Sequence, residues 1–449
     1  MSVEPVHAGN TEHVQAGNVD APVVRDGKAP RTLGFRGALG LWGNLGVSLL
    51  LPVAAPFVVL AGRPFGVTFA AIVVGAVIGS VLLGLGAAAG AREGVPAMVL
   101  LRGLLGARLS YLPTAFNLVQ CVGWATFEIV IIAEAASRAL SAPRWPFVVV
   151  GGVLATLMAV RPLGAVRVLS RYAVWAALLS LAYLIFRVLS EPRSTVDTGG
   201  ATSFWTAVDV VIALPVSWFP LAADYTRHVR GTRNAFAGAA IGYGAATVAM
   251  FTLGVLAVAA YGTDVITALL AVPFGLAAVL ILVAVELDEA FANIYSTAVS
   301  AQNLDPLSKV DRRWLAVGVG VVATVLALTF DIAAYEPFLF LIGAVFVPLV
   351  GVFAVRYLTN ARWDLSTGER PWLLVPWVAG FVAYQLTTPT FFAGPGAWWS
   401  AWWAERQSDL GIDPANGLSA SLVSLAVAAA LTGLGTAVRP ALAARRRDG

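Results

Sequence analysis

Residues 271–301 read AVPFGLAAVLILVAVELDEAFANIYSTAVSA, and the fold class is decided inside them. After Pro273 an uninterrupted apolar run leads straight into Glu286, Asp288 and Glu289, and the segment does not break until Asp305-Pro306. Charges at the centre of a spanning helix cost about 2.5 to 3.5 kcal/mol each, so they mark ion or substrate pathways. At helical spacing the segment continues as Glu286, Glu289, Asn293, Ser296 and Ser300. That is one polar stripe on an otherwise apolar cylinder. Three neighbouring carboxylates cannot all stay ionised at low dielectric unless a cation neutralises them or protons bind. Structural ion pairing is the rival explanation, but the apolar segments hold almost no arginine.

The whole chain has the same character. Of its 449 residues, 59% are hydrophobic and only 12% charged, against about 25% charged in a soluble domain. It reads as an all-α polytopic membrane protein. Cys121, the single cysteine, excludes an internal disulfide. His7, His13 and His228 fall in a tail and a loop, which excludes a histidine metal site or proton relay. The net charge of +4 is no nucleic-acid signal, because the arginines follow topology.

Residues 1–33 are polar, lack an apolar h-region, and read as a disordered cytoplasmic tail. Twelve apolar segments follow, roughly 36–61, 66–91, 112–139, 146–161, 170–189, 204–223, 235–261, 273–302, 314–332, 335–356, 371–388 and 417–438. Residues 441–449 form a short basic tail. Placing both termini in the cytoplasm leaves only Arg63, Arg138, Arg144, Arg187, Arg193 and Arg406 outside, of 29 Lys and Arg. Basic residues favour the cytoplasmic loops, so this alternation supports twelve spans. The stretch 389–415, with Trp398, Trp399, Trp402 and Trp403, reads as an interfacial loop or short amphipathic helix.

Two segments look like poor continuous helices. The first carries Gly34, Gly37, Gly40, Gly43 and Gly46; the sixth carries Pro215 and Pro220 around Ser217 and Trp218. For Gly34, Gly37 and Gly40 tight helix packing is the favoured reading. For Gly43 and Gly46 it is a broken helix. Interrupted helices at corresponding places in two halves point to a transporter site, since broken backbone survives at membrane depth only beside a cavity or inside protein.

In the third segment Trp124 and Glu128 stand one turn apart, with Asn117, Gln120 and Cys121 on or near the same face. An indole stacks on a planar solute while a carboxylate accepts from its N–H groups. A lipid- or core-facing tryptophan is the alternative. Glu134 reads as structural, Asp224 as a helix-end residue, and Asp209 as ambiguous. Asp331, Tyr335 and Glu336 read as solvated caps at outer helix ends.

Five motifs taken together resemble the nucleobase:cation symporter-1 family: LWGNLGVSLL at 41–50, REGVPAMVLLRGLLG at 92–106, NLVQCVGWATFE at 117–128, DYTRHVRG at 224–231 and ANIYSTAVSAQNL at 292–304. The cytosine/purine permease branch, with its hydroxymethylpyrimidine transporters, is the most similar. The resemblance covers about residues 33–440. It implies a LeuT-like 5+5 inverted repeat, residues 36–189 and 204–356, plus two helices in 371–438, and alternating access around a midplane site.

It also implies site residues. Trp124 matches the family's stacking tryptophan. Glu128 stands at a polar substrate-binding position, Ser217 and Trp218 fall in the broken sixth helix, and Asn293 matches a substrate-facing asparagine. Glu289 joins this substrate set. For the cation, Gly46 and Leu49 match carbonyl donors of the first helix. The hydroxyl pair of sodium-coupled relatives falls here on Leu287–Asp288 or Asp288–Glu289, so Asp288, with Glu286 nearby, is the expected cation residue and a possible Na+ ligand.

The expected function is import of a small heteroaromatic base (cytosine, a purine or hydroxymethylpyrimidine) with Na+ or H+, within membrane lipid and without nucleic acid. Two other classes compete. A membrane enzyme would need a nucleophile or metal set beside the acids, and none is evident. A passive channel fits poorly with paired broken helices and a stacking tryptophan.

Overall fold

The computed structural model describes residues 30–161, 174–191, 200–262, 264–302, 304–307, 309–360, 363–365, 368–392, 394–413 and 417–445. Every apolar segment contains helix. The first holds α1 (Phe35–Leu45), α2 (Leu50–Val53) and a 3-10 turn (Ala55–Val58). Then come α3 (Phe65–Glu93), the short α4 (Ala97–Leu105), α5 (Tyr111–Leu140), α6 (Arg144–Val160) and α7 (Val174–Leu189). The sixth segment divides into α8 (Phe204–Ser217) and α9 (Phe219–Thr226). α10 (Thr232–Tyr261), the short α11 (Val265–Ala271), α12 (Gly275–Ala301), α13 (Arg312–Thr329) and α14 (Tyr335–Thr359) follow. Last are α15 (Leu374–Thr387), α16 (Ala397–Asp409) and α17 (Ala420–Arg445). Pro376 sits in the first turn of α15, where its missing N–H costs no helical bond.

Among the described residues, 7 helical stretches are long and apolar enough to cross a bilayer, counting α8 and α9 as one. α12, 27 residues long, is set apart from these by Glu286, Asp288 and Glu289 near its middle. Large apolar side chains such as Val150, Leu157, Trp175, Leu179, Val321 and Val378 stand exposed on α6, α7, α13 and α15. In water such a belt would aggregate; against lipid tails it is stable. α16 shows Trp398 and Trp402 outward and buries Trp403 beside Phe381, as an interfacial helix should.

The helices pack in two groups. α3 lies along α8, α9 and α10, and α1 lies along α10; separately, α5, α6, α12 and α13 pack on one another. α14 and α17 pack on each other and back onto α8, and α15 packs on both. The two groups face each other where the first and sixth segments break.

Those breaks differ in kind. The first span unwinds over residues 46–49, where α10 comes so close that a Cβ on Gly46 would lie 2.6 Å from the Ala246 Cβ. Gly34 and Gly40 have open space beside them and Gly37 meets only Leu33, which corrects the expectation of tight packing there. The sixth span is a tightened joint. Trp218 N–H turns to Pro215 C=O at 3.2 Å and Leu221 N–H to Trp218 C=O at 3.0 Å. The Leu214 and Ser217 carbonyls are thereby released, and the Ser217 hydroxyl (2.6 Å) and Gln120 Nε2 (2.9 Å) donate to them.

Of the expected tail, residues 1–29 lie outside the described residues. Thr32 and Leu33 N–H donate to His228 C=O, and Arg230 N–H to Leu33 C=O, so residues 32 and 33, expected in the tail, are tied to the loop before α10.

Candidate functional site

An enclosed cavity lies where α5, α8, α9, α10 and α12 meet the first break. Trp124, Glu128, Ser217, Trp218, Glu289 and Asn293 all line it. Gaps between its lining atoms total about 300 Å³, yet only about 10 Å³ admits the centre of a water molecule. The walls are therefore closed to roughly one water, and a flat ring enters only when they part. A wider hollow at Ser137, Arg138 and Thr267 is an open surface depression and holds none of the polar stripe.

The stripe on α12 is buried along its whole length: Glu286, Glu289, Asn293, Ser296 and Ser300 are each at most 5% exposed. Each has its own task. Glu286 accepts the Ser48 hydroxyl at 2.8 Å and the Leu49 amide at 2.7 Å, filling the gap between α1 and α2. An unwound segment needs partners for its freed N–H groups, and a carboxylate at the start of α2 supplies them. Glu289 and Asn293 face the cavity. Ser296 meets the Tyr225 hydroxyl at 3.1 Å, and Ser300 accepts from Asn117 at 2.9 Å.

Glu128 on α5 is buried close to Glu286 and Glu289 and feels both charges. Acids buried this near one another cannot all be ionised without a proton or cation among them. None of these acids takes part in an ion pair with Lys or Arg among the described residues. Glu128 Oε2 and Glu289 Oε1 are buried and meet no donor.

Aromatic rings close the chamber. Toward the end carrying the basic loops, Trp42, Trp218, Tyr225 and Tyr243 form an edge-to-face cluster, with Trp42 and Trp218 centroids 6.0 Å apart. Toward the other end, Tyr335 packs on Trp124, Phe127 and Phe57 at centroid distances of 5.3 to 6.4 Å. Tyr335 is fully buried. That corrects its reading as a solvated cap: the loop before α14 tucks its first side chain inward. Asp331 does cap, accepting the Ala333 amide.

Ser48 and Tyr243 line the cavity without having been anticipated. Ser48 carries a weak signal in the glycine-rich LWGNLGVSLL motif; Tyr243 carries none, sitting in an unremarkable helix. Glu134, Asp209 and Asp224 are structural. Glu134 pairs with Arg138 at 2.7 Å. Asp209 gathers the Ser419 hydroxyl and the Ala420 and Ser421 amides at the start of α17. Asp224 accepts the first amide of α4, Ala97.

The residues expected to hold a cation sit just beside the cavity. Glu286, rather than Asp288, meets Leu49, and through the amide rather than the carbonyl. Asp288 is half-buried and accepts from the Asn44 side chain at 3.1 Å. Among the described residues no three His, Cys, Asp or Glu side chains converge as ligands for one metal ion.

Comparison with known proteins fits this geometry. A family described as "Permease for cytosine/purines, uracil, thiamine, allantoin" matches residues 29–368. The cytosine permease of Escherichia coli (strain K12) is 26% identical over 324 residues, covering 67% of this chain and 74% of its own. Among solved structures, Mhp1, a nucleobase-cation-symport-1 family transporter closed around bromovinylhydantoin, aligns with TM-score 0.69 at 17% identity, over 94% of this chain and 96% of its own. The inward-facing conformation of Mhp1 aligns at 0.68 and 16% identity, over 91% of each chain. A Na+-coupled sialic acid symporter aligns at 0.58 and 9% identity, over 89% of this chain and 90% of its own. These likenesses are of fold.

Proposed function

Because the chain belongs to the nucleobase:cation symporter-1 family of permeases for cytosine/purines, uracil, thiamine and allantoin, we propose that it imports a nucleobase-like heteroaromatic by alternating access, coupled to Na+ or H+. It is a multi-pass membrane transporter and not an enzyme. The observation that carries the substrate reading is the enclosed cavity in which Trp124 of α5 and Trp218 at the α8–α9 joint share the lining with two buried carboxyls. Cytosine, hydroxymethylpyrimidine and purines all bring a flat ring with N–H donors to such a chamber.

In this reading Trp124, Glu128, Ser217, Trp218, Glu289 and Asn293 contact substrate. The Ser217 hydroxyl is already bonded to Leu214, so Ser217 shapes the wall through the joint rather than donating to the ring. Gly46, Leu49, Asp288 and Glu286 surround the coupling ion. Burial of these acids with no Lys or Arg ion pair among the described residues supports a proton at this place; the fold shared with a Na+-coupled symporter supports sodium. The chain then crosses the plasma membrane twelve times with both termini inside. An offset of five spans is supported by the packing, because spans one and two group with six and seven, and three and four with eight and nine.

Uptake of labelled base into proteoliposomes, with and without a Na+ or pH gradient, tests this. Uphill accumulation driven by one gradient is the expected result. Product without accumulation would point to an enzyme, and equilibration without concentration to a channel.

A further inference from the structure

The polar inventory of the cavity reaches further, to the charge of its ligand; this step rests on the nucleobase-like reading above. Glu128 Oε2 and Glu289 Oε1 lie on side chains 1% and 5% exposed, both lining the cavity, and neither meets a donor. Some nearby donors are committed elsewhere. Ser48 donates to Glu286, Ser217 to the Leu214 carbonyl, and Asn293 Nδ2 to the Glu289 carbonyl. The indole N–H of Trp124 has no acceptor. A ligand thus meets two carboxyl oxygens that lack a donor, the Trp124 indole N–H, the Tyr243 hydroxyl, the second Asn293 N–H and aromatic rings.

We infer that the ligand is a planar heteroaromatic amine bound through a cationic amidinium edge, a ring N–H beside an exocyclic NH2, rather than a neutral imide ring. Two parallel N–H groups fit one carboxylate in the bidentate manner of a guanidinium. The positive ring lies against tryptophan, where a cation is attracted to the π face. Its charge also offsets an acid cluster that lacks any basic neighbour: the other titratable groups around it are Glu286, Asp288, Tyr243 and Tyr335. An imide, with carbonyls on both sides of its single N–H, can match only one carboxylate oxygen and sets acceptor against acceptor beside it.

The test is equilibrium binding to the full-length protein in lipid nanodiscs, using pairs that differ only by exchange of amine for carbonyl: cytosine against uracil, and 2-aminopyridine against 2-pyridone. Each amine is expected to bind at least about tenfold tighter than its partner, and Glu289→Gln and Glu128→Gln are expected to narrow the gap. The wild-type pairs alone decide the matter if either variant misfolds. Equal or tighter binding of uracil and 2-pyridone overturns the cationic edge while leaving the nucleobase-like reading intact. Binding of neither pair, nor of any purine, overturns both.

Discussion

Glu286 on α12 accepts the backbone amide of Leu49 at 2.7 Å, so a carboxylate from one span completes the hydrogen bonding of a gap in another. This bond ties the packing group of α5, α6, α12 and α13 to the group containing α1. Glutamine at 286 could still accept one of its two donors, but its amide would turn an N–H toward Leu49 or Ser48. Glu286→Gln is expected to lower stability by about 1–3 kcal/mol, the cost of one unmatched buried group. Thermal unfolding in detergent reads this directly, and an unchanged midpoint would remove Glu286 from the joint.

Trp124 lines the cavity on one side and packs on Tyr335 and Phe338 on the other. Stacking of a base on an aromatic side chain contributes about 1–3 kcal/mol. Trp124→Ala should therefore weaken binding of the preferred base by roughly 5- to 150-fold, with protein still present in the membrane. Trp124→Phe, which keeps a ring against Tyr335, should recover much of that loss. Titration calorimetry on both variants decides it, and wild-type affinity in Trp124→Ala would place the base elsewhere.

What the sequence disclosed is what a lipid environment forces. Charges cannot be scattered through spanning helices, so Glu128, Glu286 and Glu289 stood out and are found buried near one another. Helical periodicity likewise placed Asn293, Ser296 and Ser300 on the inward stripe. Side-chain partners across the bundle were not legible. Glu286 rather than Asp288 reaches Leu49 because the rotation of α12 is set by packing on α5, not by its own sequence. Tyr335 was misplaced for a similar reason: a helix start reads as solvated unless one knows that Phe57 and Phe127 cover it.

The close approach of α1 and α10 is specific enough to test by compensation. A methyl on Gly46 would meet the Ala246 Cβ at 2.6 Å, and the Tyr243 carbonyl at 3.3 Å. Overpacking of this kind costs about 1–3 kcal/mol, so Gly46→Ala should destabilise the protein and reduce binding. Adding Ala246→Gly removes the nearer atom and should restore most of the stability. A double variant no better than the single one would mean that backbone freedom, not space, requires glycine there.

Asp288 is half-buried and bonded to Asn44, one side chain away from the Gly46–Leu49 gap. If it helps hold the coupling ion, Asp288→Asn should flatten the dependence of uptake on Na+ or pH. Its effect on unfolding should stay small, about 1 kcal/mol, since asparagine can still accept from Asn44. Uptake assays in ion-exchanged proteoliposomes separate the two. Wild-type ion dependence in this variant would exclude Asp288 from coupling.

Opening of the chamber toward its basic end requires Tyr225 on α9 to part from Ser296 on α12, the 3.1 Å hydroxyl contact that joins the two packing groups there. Cys121, the single cysteine, lies close by and is fully buried, so its thiol reports on that parting. In the closed arrangement a membrane-permeant maleimide should react with it slowly. Tyr225→Phe removes one hydrogen bond, a contribution of about 0.5–1.5 kcal/mol, and should raise the alkylation rate by roughly 2- to 12-fold if the closed form dominates. Saturating base should slow the reaction again by holding the walls together. Mass spectrometry of Cys121 over a time course measures both effects, and identical rates in wild type and Tyr225→Phe would show that this contact does not govern access from the basic end.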